Sequence, residues 1–147
     1  MIKHLHLTHR FVRSIPKDLE PGVLYLSMEY ATAIHSCCCG CGNQVVTPLS
    51  PTDWQMYFDG ISVSLTPSIG NWSFPCRSHY FITKGKIIEA AQWNKTQIQS
   101  GRKQDRINKE RFYQTDNKLS ADKLKAVPMK ANDIGILQRL CLWIFGR

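Results

Sequence analysis

Four cysteines fall within five consecutive positions of this sequence, in a segment that also contains two glycines. The segment reads His35-Ser36-Cys37-Cys38-Cys39-Gly40-Cys41-Gly42. Because glycine tolerates positive φ angles, such a segment can turn tightly enough to direct several sulfur atoms toward one point. Neighbouring cysteines seldom have the geometry of a mutual disulfide, so clustered thiols of this kind favour a metal site.

A second element with ligand spacing reads Cys76-Arg77-Ser78-His79. A thiolate and an imidazole three positions apart are typical of the second half of a zinc knuckle. Predicted strands lie between the two elements, so one ion would cross-link distant parts of a small sheet and contribute directly to folding. We therefore expect a structural zinc ion, and zinc is favoured over an iron–sulfur cluster because it accepts mixed Cys and His ligation.

The sequence offers more ligands than a structural zinc ion uses, which is four. The candidates are His35, Cys37, Cys38, Cys39, Cys41, Cys76 and His79. In an alternating, strand-like segment Cys37, Cys39 and Cys41 share one side, so we exclude Cys38, which points away. His35 lies outside the tight turn and is the lesser candidate.

Two alternatives stay open for the metal site. Cys37 or His79 can be the fourth ligand beside Cys39, Cys41 and Cys76. The other interpretation of the whole set is a group of buried, inert thiols. The clustered sulfurs and the downstream Cys-x-x-His spacing favour the metal.

Ser68 and Asn71 lie in a predicted loop, residues 65–72, that also contains Pro67 and Gly70. A hydroxyl and an amide in such a loop could act as a nucleophile and an oxyanion donor. Both residue types also form turns by bonding to their own backbone, which is the interpretation that composition alone favours.

The role of His79 decides whether a serine mechanism is available. If Cys37 completes the metal site, His79 is free to act as the base for Ser68 or Ser78. If His79 binds the metal, it cannot serve both roles. Metal catalysis is the weakest enzymatic option, because a site closed by thiolates leaves no open position for water.

The elements that must position these residues are short strands, since the chain up to residue 89 is rich in β-branched and aromatic residues. We predict strands over residues 5–12, 23–27, 30–35, 44–47, 55–58, 61–65, 79–83 and 86–89. Asp59-Gly60 and Lys84-Gly85 are the predicted hairpin turns, and Asp-Gly is the stronger type I′ signal. The predicted fold class is α+β: a small, zinc-stapled, antiparallel β-rich domain with a C-terminal helical extension.

The positive charge belongs to the C-terminal part of the chain, whose total formal charge is +8. Residues 1–90 carry seven basic and six acidic side chains, whereas residues 91–147 carry twelve and five. We predict a zinc-binding β-rich domain over 1–90 and a basic helical tail over 91–147. The tail contains a solvated helix over 95–113 and an amphipathic final helix capped by Asn132 or Asp133, whose apolar face includes Cys141.

The basic stretch 102–111 raises the question of nucleic acid. Its cations could neutralise phosphates. Asp105 and Glu110 lie among them at helical spacing, which suits intrahelical ion pairs equally well. A solvated helix face is the favoured interpretation, and nucleic-acid binding is kept as a minority hypothesis.

The composition excludes a disordered chain and a membrane-spanning helix. At 43% hydrophobic and 20% charged, the chain is expected to fold around a core. Its longest apolar run, residues 140–145, is far short of the roughly 20 residues that cross a bilayer. The first residues lack the apolar stretch of a secretory signal, so we expect a cytoplasmic protein with no membrane partner.

With these motifs identified, the chain resembles a family of small bacterial proteins classed as domain of unknown function 6527. The resemblance spans about residues 23–93 and depends on three motifs in this order. They are Cys37-x-Cys39-Gly40-Cys41-Gly42, then Val63-Ser64-Leu65-x-Pro67-Ser68, then Cys76-Arg77-Ser78-His79-Tyr80-Phe81-Ile82 with the following Gly85. A cysteine at position 38 departs from the family pattern.

Members of that family look like companions of ubiquitin-like proteins and their activating and conjugating enzymes in bacterial operons linked to phage defence. The resemblance implies a role in processing, removing or handing on the modifier. Our leading hypothesis is a serine-type peptidase that trims or removes it, with Ser68 or Ser78 as nucleophile and His79 as base if Cys37 completes the metal site. The alternative is a non-enzymatic zinc-binding adaptor that docks the modifier or its conjugating enzyme. A nucleic-acid-binding module is the third hypothesis, and the sequence does not determine the oligomeric state.

Overall fold

The computed structural model describes residues 2–126, with side chains described for residues 2–120. These residues form eight strands followed by one helix, which agrees with the predicted α+β class. The strands are β1 (Thr8–Phe11), β2 (Val23–Ser27), β3 (Thr32–Ser36), β4 (Gln44–Pro48), β5 (Gln55–Phe58), β6 (Val63–Gly70), β7 (His79–Thr83) and β8 (Lys86–Glu89), and the helix is α1 (Lys95–Ala126).

The strands form two sheets of four, each in simple chain order: β1-β2-β3-β4 and β5-β6-β7-β8. Every pairing is antiparallel except that of β1 with β2, which is parallel. Two isolated bridges join segments beside the sheets, one between His6 and Lys86 and one between Leu49 and Trp54. The second bridge lies close to the connection where the chain passes from β4 of the first sheet to β5 of the second.

One apolar core takes side chains from both sheets. Leu24 and Leu26 of β2 pack in the same buried cluster as Val63 and Leu65 of β6 and Ile82 of β7. These residues lie two positions apart within β2 and within β6, as expected for side chains on one face of a strand. Burial of this shared face is the main force that stabilises the two sheets as one domain.

The two predicted hairpin turns have different geometries. Lys84 and Gly85 have φ angles of 49° and 74°, and Thr83 pairs with Lys86, which gives the two-residue type I′ turn. The Asp59-Gly60 prediction was wrong in type, because Phe58 pairs with Val63 across a four-residue loop. Backbone N–H groups of Ser62 and Ile61 donate to the Asp59 carboxylate, lower its pKa to about 2 and hold this longer loop together.

Four strands, β2, β5, β7 and β8, have the predicted bounds. The largest difference concerns β6, which continues to Gly70 through the segment predicted to be a loop. The register between β6 and β7 shifts between Leu65 and Ile69. Such an irregularity accommodates Pro67, which cannot donate to a regular ladder, and it allows the strand to continue.

The helix α1 begins at Lys95 as predicted but extends to Ala126 rather than ending near Tyr113. Asn94 and Gln97 form a reciprocal capping box, with both N–H to side-chain oxygen distances at 2.9 Å. Neither glycine nor proline occurs between Tyr113 and Pro128, so nothing in the sequence stops the helix earlier.

The chain divides into two compact units, Met1–Asn108 and Lys109–Arg147. The predicted domain boundary at residue 90 stays a prediction. The predicted final helix and Cys141 lie outside the described residues. Among residues 2–126, no helix combines the length and the apolar character that a bilayer crossing requires.

Candidate functional site

The loop between β6 and β7, residues 71–78, carries the polar groups at the centre of the molecule. Its backbone closes on itself: the N–H of Asn71 donates to the Ser78 carbonyl at 2.9 Å, and that of Phe74 to the Asn71 carbonyl at 3.1 Å. The N–H of Arg77 donates to the Phe74 carbonyl at 3.0 Å. These bonds fix the position of Cys76 at one end of the loop and direct Ser78 and His79 into the interior.

A second turn follows β3 and brings three cysteines to the same place. The N–H of Cys37 donates to the Asn43 carbonyl at 2.8 Å, and that of Gly40 to the Cys37 carbonyl at 2.9 Å. Gly40 and Gly42 have φ angles of 79° and 80°, a left-handed conformation that glycine adopts without a steric cost. The tight turn is the reason why residues so close in sequence can present several sulfurs to one point.

The sulfur atoms of four cysteines lie within 4.8 Å of one another. We call Cys37, Cys39, Cys41 and Cys76 the cysteine cluster. The Sγ of Cys37 is 3.4 Å from that of Cys39 and 3.9 Å from that of Cys76, and the Sγ of Cys76 is 3.7 Å from that of Cys41. A tetrahedral ion with Zn–S bonds of about 2.3 Å separates its sulfurs by about 3.8 Å, so the cluster could hold a metal ion.

The thiols of the cluster differ in acidity. Burial raises the pKa of the Cys37 and Cys39 thiols. Desolvation acts in the same direction on Cys41, but hydrogen bonds with Asn43, Cys39 and Cys76 outweigh it and lower the pKa of Cys41 to about 6. Neighbouring thiolates repel each other, so each further thiol of the cluster is harder to ionise. A divalent cation that binds in place of the thiol protons would offset this repulsion.

Cys38 and His35, the other two candidate ligands of the first motif, are not part of the cysteine cluster. Cys38 is fully buried in the apolar core, where burial raises its pKa to about 12, so its exclusion from the ligand set agrees with the geometry. His35 is also fully buried, and its Nε2 lies 2.8 Å from the Tyr80 hydroxyl. Burial lowers the pKa of His35 to about 4, so this imidazole is neutral at pH 7.

Ser78 belongs with the cysteine cluster. Its Oγ lies 3.2 Å from the Sγ of Cys37 and 3.6 Å from that of Cys76, and it accepts a hydrogen bond of 2.9 Å from the Nδ2 of Asn71. The side-chain amide of Asn71 also donates to the Tyr80 hydroxyl at 3.4 Å. A hydroxyl that accepts from an amide directs its own proton toward sulfur, which is a suitable way to support a thiolate ligand.

His79 faces the other way and contacts Ser68. Its Nε2 lies 2.9 Å from the Oγ of Ser68, and its Nδ1 lies 2.7 Å from the carbonyl oxygen of Ala91. Because a carbonyl oxygen only accepts, Nδ1 carries the proton in the neutral ring, and Nε2 is left to accept from the Ser68 hydroxyl. This is the arrangement that a serine nucleophile and its general base require.

Aromatic side chains enclose the imidazole. The ring centroids of Trp72 and Trp93 lie 4.8 and 5.5 Å from that of His79, and the two indoles stack on each other at 5.6 Å. His79 is consequently 4% exposed although it lies at the end of a strand. The enclosure restricts the rotation of the ring and limits the access of water to it.

Ser68 is reachable from outside. β5 begins at Gln55, opposite Thr66, so residues 67–70 of β6 run beyond the last β5 partner. Thr66 and Pro67 are exposed, Ser68 is half-buried, and the bond between Thr66 and Pro67 is cis. An extended peptide can therefore approach the Ser68 hydroxyl without displacing a strand.

The structure divides the candidate residues into two groups, the cysteine cluster and the Ser68–His79 pair, which the sequence alone could not distinguish. The four cysteines come together without His79, which favours Cys37 as the fourth ligand, although the assignment stays a proposal. Asn71 turns toward Ser78 and away from Ser68, so the geometry does not favour it as an oxyanion donor. The Ala91 carbonyl could not be identified from the sequence as the partner of His79, because a backbone acceptor has no sequence signature.

Comparison with known proteins identifies one family. Residues 11–90, which are 80 of 147, match the family model BubE, described as a bacterial ubiquitination-like system serine protease. No curated protein and no solved structure matches the chain. The match supports the association with ubiquitination-like systems that the resemblance implied, but not the family name attached to it.

Proposed function

This chain belongs to the BubE family, and we propose that it is a serine peptidase that trims or removes the ubiquitin-like modifier of its own system. The observation that carries the proposal is the contact of 2.9 Å between Ser68 Oγ and His79 Nε2, on an imidazole whose Nδ1 is held by a carbonyl oxygen. Both residues lie within the matched segment.

In the proposed reaction the Ser68 hydroxyl attacks the scissile carbonyl while its proton passes to Nε2 of His79. The tetrahedral intermediate collapses to an acyl-enzyme, and His79 returns the proton to the leaving group. Water then attacks the ester carbonyl, His79 accepts the water proton, and the Ser68 hydroxyl is restored. The transfers between Ser68 and His79 use the contact that the resting geometry already contains. The transfers to the leaving group and from water require those groups to come within hydrogen-bond reach of Nε2.

Ala91 takes the position that an aspartate occupies in many serine peptidases. A carbonyl oxygen fixes the tautomer and the orientation of His79, which are the main services of that aspartate. It lacks a negative charge, so it stabilises the imidazolium less than a carboxylate would. The stacked indoles of Trp72 and Trp93 complement this by holding the ring in place.

We assign the cysteine cluster a structural role, with zinc as the proposed ion. Cys37, Cys39 and Cys41 follow β3 of the first sheet, whereas Cys76 precedes β7 of the second, so an ion held by all four would link the sheets. Four thiolates leave no open position, and the bound ion would supply only a rigid cross-link that positions the 71–78 loop. Ser78 then supports a ligand and is not the nucleophile.

The partners that follow from this proposal are the modifier and the activating and conjugating enzymes of the same system, and a cytoplasmic location stays a prediction. A zinc-binding adaptor that docks these proteins without cleaving them is the competing function. Nucleic-acid binding through α1 is the lesser alternative. The Ser68–His79 contact favours the peptidase, because an adaptor has no need for an oriented imidazole beside a hydroxyl.

The test uses the modifier from the same operon with its natural C terminus and with a short C-terminal extension. We expect intact-mass analysis to show loss of C-terminal residues with the wild-type protein and no loss with Ser68→Ala. Ser100→Ala, an exposed serine on α1, is the matched control and should cleave at the wild-type rate. Trimming by the Ser68→Ala protein would exclude Ser68 as the nucleophile, and binding without any cleavage would favour the adaptor.

A further inference from the structure

An open groove of about 440 Å³ lies between the 71–78 loop and the first turns of α1. Three of its lining residues are cations: Arg77 from the loop and Lys95 and Arg102 from the helix. Among the described lining residues, none is acidic. The groove therefore concentrates positive charge in one concave place, which favours an anionic ligand.

The helical wall of the groove combines charge with an apolar surface. Lys95, Ile98 and Arg102 are spaced at i, i+3 and i+7, so they share one face of α1. Ile98 is 8% exposed and lies between the two cations. The first turn of α1 contains no acidic residue, so the positive end of the helix dipole adds to the field of the side chains.

The groove adjoins the Ser68–His79 pair through one shared residue. Trp72 lines the groove, and its ring packs on His79 with the centroids 4.8 Å apart. Arg77 lies in the loop, two residues before His79 at the start of β7, and has a φ angle of 47°, a left-handed conformation that is uncommon outside glycine and asparagine. A peptide bound at Ser68 could therefore extend directly into the groove.

We propose that this groove binds the free C-terminal carboxylate of the segment that is cleaved from the modifier, on the leaving-group side of the scissile bond. The inference rests on the proposed peptidase function and adds to it a substrate class: modifiers that end in a short extension with a free carboxylate. Guanidinium groups pair with carboxylates in a bidentate geometry, and the apolar surface of Ile98 and Phe74 suits the last side chain of such an extension.

A single-stranded nucleic acid fits the groove less well. Binding of that kind combines phosphate contacts with bases stacked on open aromatic faces. The indole of Trp72 is stacked on Trp93 at an interplanar angle of 16° and also contacts the tilted ring of His79, so one of its faces is already covered. The cations remain available for a carboxylate, which needs no stacking surface.

The test measures peptide binding by fluorescence anisotropy in the Ser68→Ala protein, which prevents turnover. The probes are a labelled peptide of the modifier's C-terminal extension with a free carboxylate and the same peptide as a C-terminal amide. We expect the acid to bind at least about 10-fold tighter, as a charge-assisted hydrogen bond predicts. Lys95→Glu with Arg102→Glu should abolish this preference.

The matched control is Lys103→Glu with Arg106→Glu, which makes the same charge change on exposed positions of the same helix. It should keep the acid preference within about twofold. Equal affinity for acid and amide would overturn the inference, as would an equal loss in both double variants. Affinity for a single-stranded oligonucleotide that falls only in the groove variant, with peptide binding unchanged, would also overturn it.

Failure of the inference and failure of the proposed function give different results. Equal cleavage of acid and amide substrates by the wild-type protein contradicts the carboxylate groove and leaves the peptidase intact. An acid preference in a protein that cleaves no substrate contradicts the peptidase and supports the groove. All substituted groove residues on α1 are exposed, so thermal unfolding should confirm that each variant folds.

Discussion

Two polar centres lie on opposite sides of one short segment, and adjacent residues contribute to each. Ser78 contacts the sulfur of Cys37, whereas His79 contacts the hydroxyl of Ser68. Successive side chains of an extended strand point in opposite directions, so this separation is a direct consequence of where β7 begins. The cysteine cluster brings four sulfur atoms within 4.8 Å of one another, while Ser68 of the other centre is only half-buried.

The difference teaches how a small domain places a reactive group. In the proposed account, the side that holds the cysteines links the two sheets through a bound ion and requires only that the four sulfurs stay together. The other side depends on a single hydroxyl and a single ring, whose positions are set by Ala91, Trp72 and Trp93. Damage to the first centre should therefore affect folding, and damage to the second should affect the rate of cleavage.

The largest effect is expected from Cys76→Ser, which removes the one proposed ligand that, among the described residues, comes from the loop preceding β7. Binding of a structural zinc ion is worth on the order of 10 kcal/mol at neutral pH, comparable with the whole stability of a domain. We expect loss of stoichiometric metal in elemental analysis and loss of the cooperative thermal transition.

Cys38→Ala is the matched control for that variant, because it removes a neighbouring sulfur that lies in the core. It should retain one metal ion per chain and lose only about 1–2 kcal/mol of unfolding free energy through the small cavity. A Cys76→Ser protein that still binds one ion with unchanged stability would refute the structural role of the cluster.

The next largest effect separates the two serines. Ser68→Ala should lower kcat/KM for modifier cleavage by at least roughly 10³-fold with little change in stability, as removal of a nucleophile does. Ser78→Ala leaves the buried Asn71 amide with a lost partner, so we expect about 1–3 kcal/mol of destabilisation and a rate within about tenfold of wild type. Cleavage rates and urea unfolding curves of both variants are the measurements. If Ser78→Ala abolished cleavage and Ser68→Ala lowered only the stability, Ser78 would be the nucleophile and Ser68 the structural residue.

A smaller effect is expected from Trp93→Ala, which removes one side of the enclosure around His79. Trp93 packs over Gly101 of α1 and stacks on Trp72, so the variant should lose about 1–3 kcal/mol of stability. Because water then reaches the imidazole, kcat should fall roughly tenfold with metal content unchanged. Phe112→Ala, an aromatic of similar exposure on α1, should cleave normally. If both variants lost activity equally, the enclosure would have no specific role.

Most of the fold was accessible from the sequence, because alternating apolar residues and turn signals determine short antiparallel strands. The bounds of β2 and β7 agree with the predictions, and the sulfur cluster agrees with the spacing of its cysteines. The continuation of β6 beyond Pro67 was not accessible, because a register shift depends on pairing with β7 and leaves no pattern in β6 itself. The same holds for the Ala91 carbonyl, which reaches His79 only through the tertiary fold.

The smallest effects are expected from replacing one glycine near each of the two centres by alanine. A Cβ on Gly70 would clash with the Trp72 ring, so Gly70→Ala should displace that ring and lower kcat/KM roughly 3-fold to 10-fold. Gly42, at the cysteine cluster, has open space around it but a positive φ angle, so Gly42→Ala should cost about 1 kcal/mol of stability. Its cleavage rate at full metal loading should equal that of the wild type, as steady-state kinetics would reveal.

The most direct test of the central claim is to map where a fluorophosphonate reacts. An activated serine oxygen forms a bond to phosphorus while fluoride leaves, and the hydroxyl proton passes to the neighbouring base. We predict a single adduct on the peptide that contains Ser68, absent from His79→Gln and present in Ser78→Ala. An adduct on Ser78, or an unlabelled Ser68 in protein that cleaves the modifier, would contradict the assignment of Ser68 and His79 as nucleophile and base.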